Sequence, residues 1–407
     1  MLDLEFQAVD WEEVALGDVC VFRGGSGFKE EYQGQTHGEF PFIKVSDLTL
    51  PENGKYIVTS NNWVSDTVLQ KLKANLQPEG STVFAKVGAA LKLNRRRILT
   101  RPTAIDNNMM AAIPIENRLD SEFLYYFLLV QDLGHFSQES AVPSVNQGHL
   151  SSIDIGLPPL PEQRKIAEIL RTWDAALEQL TALRAAKETR LTGLRDGLLF
   201  GSLRLGKQKS NWQSRRIGEV THEITDRNGD MSLGRDLVMG VTNARGIVPM
   251  REQTVAADIS RYKHLPPHAF AYNPMRINVG SIAMNEADET VLVSPDYVVF
   301  GCNHDGMEPD YLDHLRRTRW WLHHINSGGS GSVRQRTYYA DLAALQLPLP
   351  SLEEQRAIIV VLHAAKADLS ATDQMINALT QQKRGLMQKL LTGEWPVSVD
   401  GERGGEA

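Results

Sequence analysis

Leu157-Pro158-Pro159-Leu160-Pro161-Glu162-Gln163-Arg164 and Leu349-Pro350-Ser351-Leu352-Glu353-Glu354-Gln355-Arg356 are two writings of one pattern, 192 positions apart. The same displacement holds without a gap through the residues that follow. Ile166 matches Ile358, Leu170 matches Leu362, Leu177 matches Leu369, Leu198 matches Leu390 and Gly201 matches Gly393. Upstream, Trp11 with Leu16-Gly17-Asp18-Val19 returns as Trp212 with Ile217-Gly218-Glu219-Val220, now 201 positions on. The chain is therefore an internal repeat, in which two variable blocks are each followed by a closely matched segment.

The matched segments predict long helices. Apolar residues fall at Ile166, Leu170, Trp173, Leu177, Leu180, Leu191, Leu194 and Leu198, with Arg184 and Lys187 in the gap. The second copy places Ile358, Leu362, Ala365, Leu369, Ile376, Leu379, Leu386 and Leu390 at the equivalent positions. This four-three spacing is a coiled-coil seam. Pro161 suits a first helical turn, and Gly201 and Gly393 suit stops. Forty helical residues span about 60 Å at ~1.5 Å per residue. An amphipathic helix of that length needs a partner, and the nearest is its own repeat, packed antiparallel by a pseudo-twofold arrangement.

The variable blocks read as α+β. Short β-branched runs lie between turn signals: Val19 to Phe22, Phe40 to Val45, Thr82 to Ala85, Leu237 to Val241 and Val291 to Val293. Glu122 to Val130 predicts a helix, with Tyr311 to His324 as its counterpart. Gly24 to Gly27 predicts a turn with positive φ. Gly201 to Asn211 reads as a connection.

With 407 residues the chain exceeds a single core, and 42% hydrophobic with 23% charged residues is ordinary for a folded protein. No apolar run reaches bilayer length and the start lacks a signal-peptide pattern, so a cytoplasmic address with no membrane partner is expected. Cys20 and Cys302, far apart, suit a reducing compartment as structural thiols and exclude a four-cysteine zinc site. The net charge of -7 weighs against nucleic acid. Its distribution weighs the other way. Residues 81 to 105 hold Lys86, Lys92, Arg95, Arg96, Arg97 and Arg101 with no carboxylate, and residues 314 to 340 hold five arginines and three histidines with none.

Together the twin Leu-Pro-x-x-x-Glu-Gln-Arg openings, the Trp-x-x-x-x-Leu/Ile-Gly-Asp/Glu-Val openings and the stretch Phe270-Ala271-Tyr272-Asn273-Pro274-Met275-Arg276-Ile277-Asn278-Val279-Gly280 resemble the specificity subunit of Type I restriction-modification systems, over essentially the whole chain. The resemblance implies an α+β architecture of two globular target-recognition domains joined by two long antiparallel coiled-coil helices. The corresponding division is 1–155 for the first recognition domain, 156–205 for the first long helix, 206–346 for the second recognition domain, and 347–407 for the second long helix with its tail. It also implies that each domain reads one half of a split, asymmetric site on double-stranded DNA, with the helices fixing the spacer. The chain itself would bind no cofactor and catalyse nothing. Modification subunits, expected as a pair, would dock on the helices and bring S-adenosylmethionine to methylate adenine. Restriction subunits with ATP and Mg would join for cleavage.

The candidate DNA contacts are Lys86, at a strand end before Gly88; Arg95 and Arg96, in a basic run whose alternative is a solvated strand or turn; and Arg276, inside the recognised stretch. Asn273 is a further candidate that could equally cap an Asn-Pro turn. Arg334 and Arg336 follow the glycine-serine run Gly328 to Ser332, and Gln147 occupies the corresponding place in the first half. A plain turn is the alternative there.

Two other classes compete. One is a stand-alone adenine methyltransferase, suggested by Phe22-Arg23-Gly24-Gly25-Ser26-Gly27 and by Asn273-Pro274. Pro274, however, is followed by Met275-Arg276 rather than proline and an aromatic ring, and no alternating strand-helix pattern surrounds the glycines. The other is a two-headed coiled-coil scaffold that binds protein.

Overall fold

The computed structural model describes residues 11–134, 143–205, 212–243, 245–327 and 336–398. They form two compact units, Met1–Leu180 with Met375–Ala407, and Thr181–Gln374. The boundary between the units falls inside both long helices, Leu160–Leu199 and Leu352–Leu391. Each unit thus holds a mixed head and a part of each helix. Gly201 and Gly393 follow the two helix ends with φ of 75° and 73°, the left-handed conformation that glycine adopts without steric cost.

In the first unit one sheet has the order Cys20–Gly24, Met109–Pro114, Thr82–Ala85, Arg96–Leu99, Tyr56–Ile57. A second has Trp63–Val64, Phe40–Ile43, Thr103–Ile105, Leu76–Gln77, with Phe42 and Ile43 running parallel to Ala104 and Ile105. Strand alternation divides the burial. Val83, Leu99, Met109 and Ala111 pack with Ile43 and Ile105 in one cluster. Their neighbours Phe84, Ile98, Met110 and Ala112 face the helix Ser121–Val130 and, beyond it, Ile166, Leu170, Leu390 and Leu391 of the long helices.

The second unit repeats the plan with fewer strands. Its first sheet runs Thr221–Ile224, Val298–Cys302, Phe270–Tyr272, Ile282–Met284, and its second Gly246–Pro249, Val238–Thr242, Val291–Val293, Lys263–Leu265, again with one parallel pair. Ala271, Ala283 and Val299 pack with Val241 and Val293 in one cluster, while Phe270, Tyr272 and Phe300 join Ile358 and Leu362 in the other. The helix expected from Tyr311 to His324 is two helices, Pro309–Leu315 and Arg319–Ser327. Thr318 separates them: its hydroxyl donates to Leu315 O and accepts from Trp321 N, which ends one helix and caps the next.

The repeated motifs prove to be necks. In the first unit Glu12–Ala15 pairs with Asp154–Leu157, so the opening strand closes on the strand that leads into the helix. Gln213–Arg216 does the same with Gln346–Leu349 in the second. The repeated glycine fits a close approach: a Cβ on Gly17 would stand 2.7 Å from Ser151 Cβ, and one on Gly218 2.8 Å from Ala343 Cβ. The glutamine of each Glu-Gln-Arg is fully buried. Gln163 accepts from Asp120 N at 2.7 Å and donates to Arg118 O and Pro158 O. Gln355 accepts from Glu308 N at 2.9 Å and donates to Gly306 O and Pro350 O. The preceding glutamate holds the opening tryptophan, Trp11 on Glu162 and Trp212 on Glu354.

Within each unit the two long helices run antiparallel. In the first, Asp174 pairs with Lys383, and Tyr126 donates to the same carboxylate. In the second, Arg184 meets Asp373 at 2.5 Å and Lys187 meets Asp368 at 2.7 Å, which fills the polar gap of the apolar seam with ion pairs.

Candidate nucleic-acid interface

The first unit brings two of the candidate residues together where Thr82–Ala85 ends. Lys86 N donates to Asn108 O at 2.9 Å, and Lys86 O accepts from Val145 N at 3.0 Å. Gly88 N donates to Pro143 O, and Val87 bridges Ser144. The basic turn is thereby laced to the segment that returns toward the long helix. Lys86 Nζ lies over Gly24, only 3.3 Å from where a Cβ would be. It has no ion-pair partner among the described residues. Gln147 opens the short helix Gln147–Ser151, which Asn146 caps, and its Nε2 donates to Phe22 O at 2.7 Å. Lys86 and Gln147, remote in sequence, therefore share one edge, where Phe22 and Gly24 belong to the same strand.

Gly24 ends a strand and Gly25 follows it, and neither they nor Gly27 has a positive φ, contrary to the turn expected there. Gly25 is required by proximity instead: any Cβ would lie 2.1 Å from Asp106 O.

The second unit repeats the arrangement after its equivalent strand, Phe270–Tyr272. Asn273 Oδ1 accepts from Met275 N at 2.9 Å, and Asn273 O accepts from Arg276 N, so Asn273 caps the turn. That use of its side-chain oxygen is the structural role weighed against contact. The turn ends at Gly280, with φ 85°. Arg276 is exposed, and so are Met275 and Val279 beside it. Thr337 N donates to Pro274 O at 3.0 Å, which brings exposed Arg336 to the same turn. Arg334 lies outside the described residues.

Arg96 corrects the expectation from the basic run. It is 1% exposed, lies over the Phe84 ring, and donates to Asn94 and to Gln131 O. Burial pushes its guanidinium down to about 10. A side chain so enclosed has no surface to offer a phosphate. Arg97 likewise donates to Asn53 O and Arg96 O, whereas Arg95 is exposed without an ion-pair partner among the described residues. In the other basic stretch Arg316 and Arg317 both pair with Asp313, a carboxylate just upstream of the window that contains none. The positive surface is thus narrower than the sequence count suggests. The turn joining Val238–Thr242 to Gly246–Pro249, with Asn243 and Arg245, was missed in the sequence, where only the run Leu237 to Val241 was marked.

Two heads of one plan, each presenting a polar and basic turn beside the segment that returns to its clamped neck, define a double-headed binding protein built on an internal repeat. Comparison with known proteins is specific. Residues 8–187 match the family model described as Type I restriction modification DNA specificity domain. The Type I restriction enzyme MjaVIII specificity subunit of Methanocaldococcus jannaschii is 21% identical over 418 residues, covering 95% of this chain and 93% of the relative. The S subunit of a Type I restriction-modification system from M. genitalium shares the fold, with a TM-score of 0.53 at 13% identity over 96% of this chain and 98% of that one. A chain from work on assembly and conformational transition of the type I R-M system gives 0.58 at 18%, over 96% and 100%. Over nearly its whole length the chain is similar to the specificity subunits of Type I restriction-modification systems.

Proposed function

We propose that this subunit selects a split DNA site, each unit reading one half, and leaves the chemistry to partner chains. The observation that carries the reading is the repeat of one arrangement with different side chains. Lys86 and Gln147 stand at the strand edge of the first head, and Arg276 and Arg336 stand at the equivalent edge of the second. Unlike readers in one chain select an asymmetric target, whereas two copies of one reader would select a palindrome. Lysine and arginine position the heads on phosphates, and polar side chains read base edges. Modification subunits carrying S-adenosylmethionine, expected as a pair, and restriction subunits using ATP and Mg complete the assembly in the cytoplasm. No helix among the described residues is long and apolar enough to cross a membrane. The long helices act as the ruler between half-sites.

The test is to co-express the chain with its cognate modification subunit in a methylation-free host and map methylated adenines by single-molecule sequencing. A split asymmetric motif that disappears without this chain is expected. Methylation by this chain alone would make it the enzyme. Adding one helical turn to both long helices is expected to lengthen the spacer with both half-sites retained. Binding should also weaken steeply with salt, about 10³-fold between 50 and 200 mM if six phosphates are neutralised. Lys86→Ala is expected to reduce the salt slope by about 1 while leaving the motif unchanged. A flat salt response would favour a protein-binding scaffold.

A further inference from the structure

The turn between Val238–Thr242 and Gly246–Pro249 packs against the turn after Phe270–Tyr272. Gly280 has no side chain, and a Cβ there would stand 2.6 Å from Asn243 Oδ1. The last residue of the stretch Phe270 to Gly280 is thus the seat of Asn243. Arg245 follows, its backbone N donating to Thr242 Oγ1 at 3.1 Å, while Thr242 Oγ1 donates to Gly246 O. Gly246 has φ 67°, so the hairpin closes through a left-handed glycine.

Asn243 and Arg245 are exposed, and both also line a cavity of about 390 Å³ with Asn285, Glu286, Arg316 and Arg317. Charge pairing singles out one of its cations. Arg316 and Arg317 are held by Asp313, and Glu286 faces Arg316. Arg245 has no carboxylate partner among the described residues. Beside this hairpin lies the turn carrying Arg276, with Thr337 bonded to it next to Arg336.

We propose that Asn243 and Arg245 read base edges in the major groove of the half-site assigned to the second unit, with Arg276 and Arg336 on the flanking phosphates. The inference rests on the DNA-reading function proposed above and names the residues that set specificity there. The chemistry suits the assignment. An asparagine amide matches the donor and acceptor of adenine N6 and N7, and a guanidinium matches guanine O6 and N7. A hairpin tip is narrow enough to enter the major groove, which admits a two-stranded ribbon. The close approach of Asn243 Oδ1 to Gly280 narrows the conformations open to the side chain before DNA arrives, so less ordering is left for binding.

The experiment maps methylated adenines in the methylation-free host for the unaltered chain, Asn243→Ala, Arg245→Gln and Arg276→Ala, each with the cognate modification subunit. Both hairpin substitutions change exposed side chains only. Asn243→Ala and Arg245→Gln are each expected to relax one base position of a single half-site, with preference there falling about 10- to 100-fold. The other half-site should stay intact. Arg276→Ala should lower methylation across all sites with no change of motif. If the unaltered chain directs a split motif and both hairpin variants direct the same motif at every position, the hairpin assignment is overturned while the DNA-reading function stands. If the unaltered chain directs no motif, both are overturned together.

Discussion

Replacing Gln355 with leucine is expected to destabilise the second unit by about 4 kcal/mol, because three backbone groups lose at once the partner that a fully buried side chain gives them. Gln355 has no solvent exposure, and its amide answers Glu308 N, Gly306 O and Pro350 O. Each group left unmet in the interior costs roughly 1 to 3 kcal/mol, and leucine offers none of them a hydrogen bond. Glutamate should fare no better. It keeps the acceptor for Glu308 N but has no N–H for the two carbonyls, and it puts a carboxylate where no water reaches. Gln163→Leu should repeat the effect in the first unit, since Asp120 N, Arg118 O and Pro158 O are held in the same way. Urea unfolding with linear extrapolation measures the loss. A change below about 1 kcal/mol for both leucine variants would show that water replaces the amide, and the clamp would then be no more than a crossing point.

These glutamines mark how far the sequence could be read. The repeat, the helix limits near Leu160 and Leu352, the glycine stops and the strands Thr82–Ala85 and Val291–Val293 were legible because each rests on a local rule: apolar period, proline and glycine placement, or β-branching. The Glu-Gln-Arg repeat was visible too, but its purpose was not. Two of the three partners of Gln163 lie 43 and 45 residues upstream, and no periodicity records a contact of that range. Counting charge failed at Arg96 for a related reason. In Arg96–Leu99, alternation sends Arg96 to the face shared with Phe84 and Ile98, so a residue read as surface became part of the packing against Ser121–Val130. Gly25 failed differently. Its need for glycine comes from a neighbouring strand's carbonyls, which become neighbours only after folding. The site was half legible. Lys86 and Gln147, or Arg276 and Arg336, could each be marked singly, but only the fold brings the members of each pair to one edge.

Lowering the pH from 7 to 5 is expected to cost the second unit about 1 to 2 kcal/mol that a His314→Phe variant does not lose. His314 is 2% exposed, and neither ring nitrogen has a hydrogen-bond partner among the described residues. Arg195 of the first long helix and His363 of the second face it, the latter with ring centroids 5.4 Å apart. Asp313 and Arg317 lie near it on the head, and Asp310 sits opposite His363 at 3.7 Å. Burial, then Arg195, hold the His314 imidazole down to about 3, against only partial compensation from Asp313. Unfolded, the same ring titrates near ~6.5. Below that pH the unfolded chain binds a proton that the folded chain does not, so folding loses free energy progressively from about pH 6.5 toward 3. Above pH 6.5 the ring is neutral in both states and contributes no pH dependence. The first unit has Tyr126 at the equivalent place, donating to Asp174, which shows that an aromatic ring fits this neck without a titrating nitrogen. Unfolding free energies of the two proteins at pH 7 and pH 5 isolate the contribution of His314, because the carboxylates common to both cancel in the difference. Parallel losses would mean that His314 takes up its proton in the folded state, with the neck opening enough to solvate it.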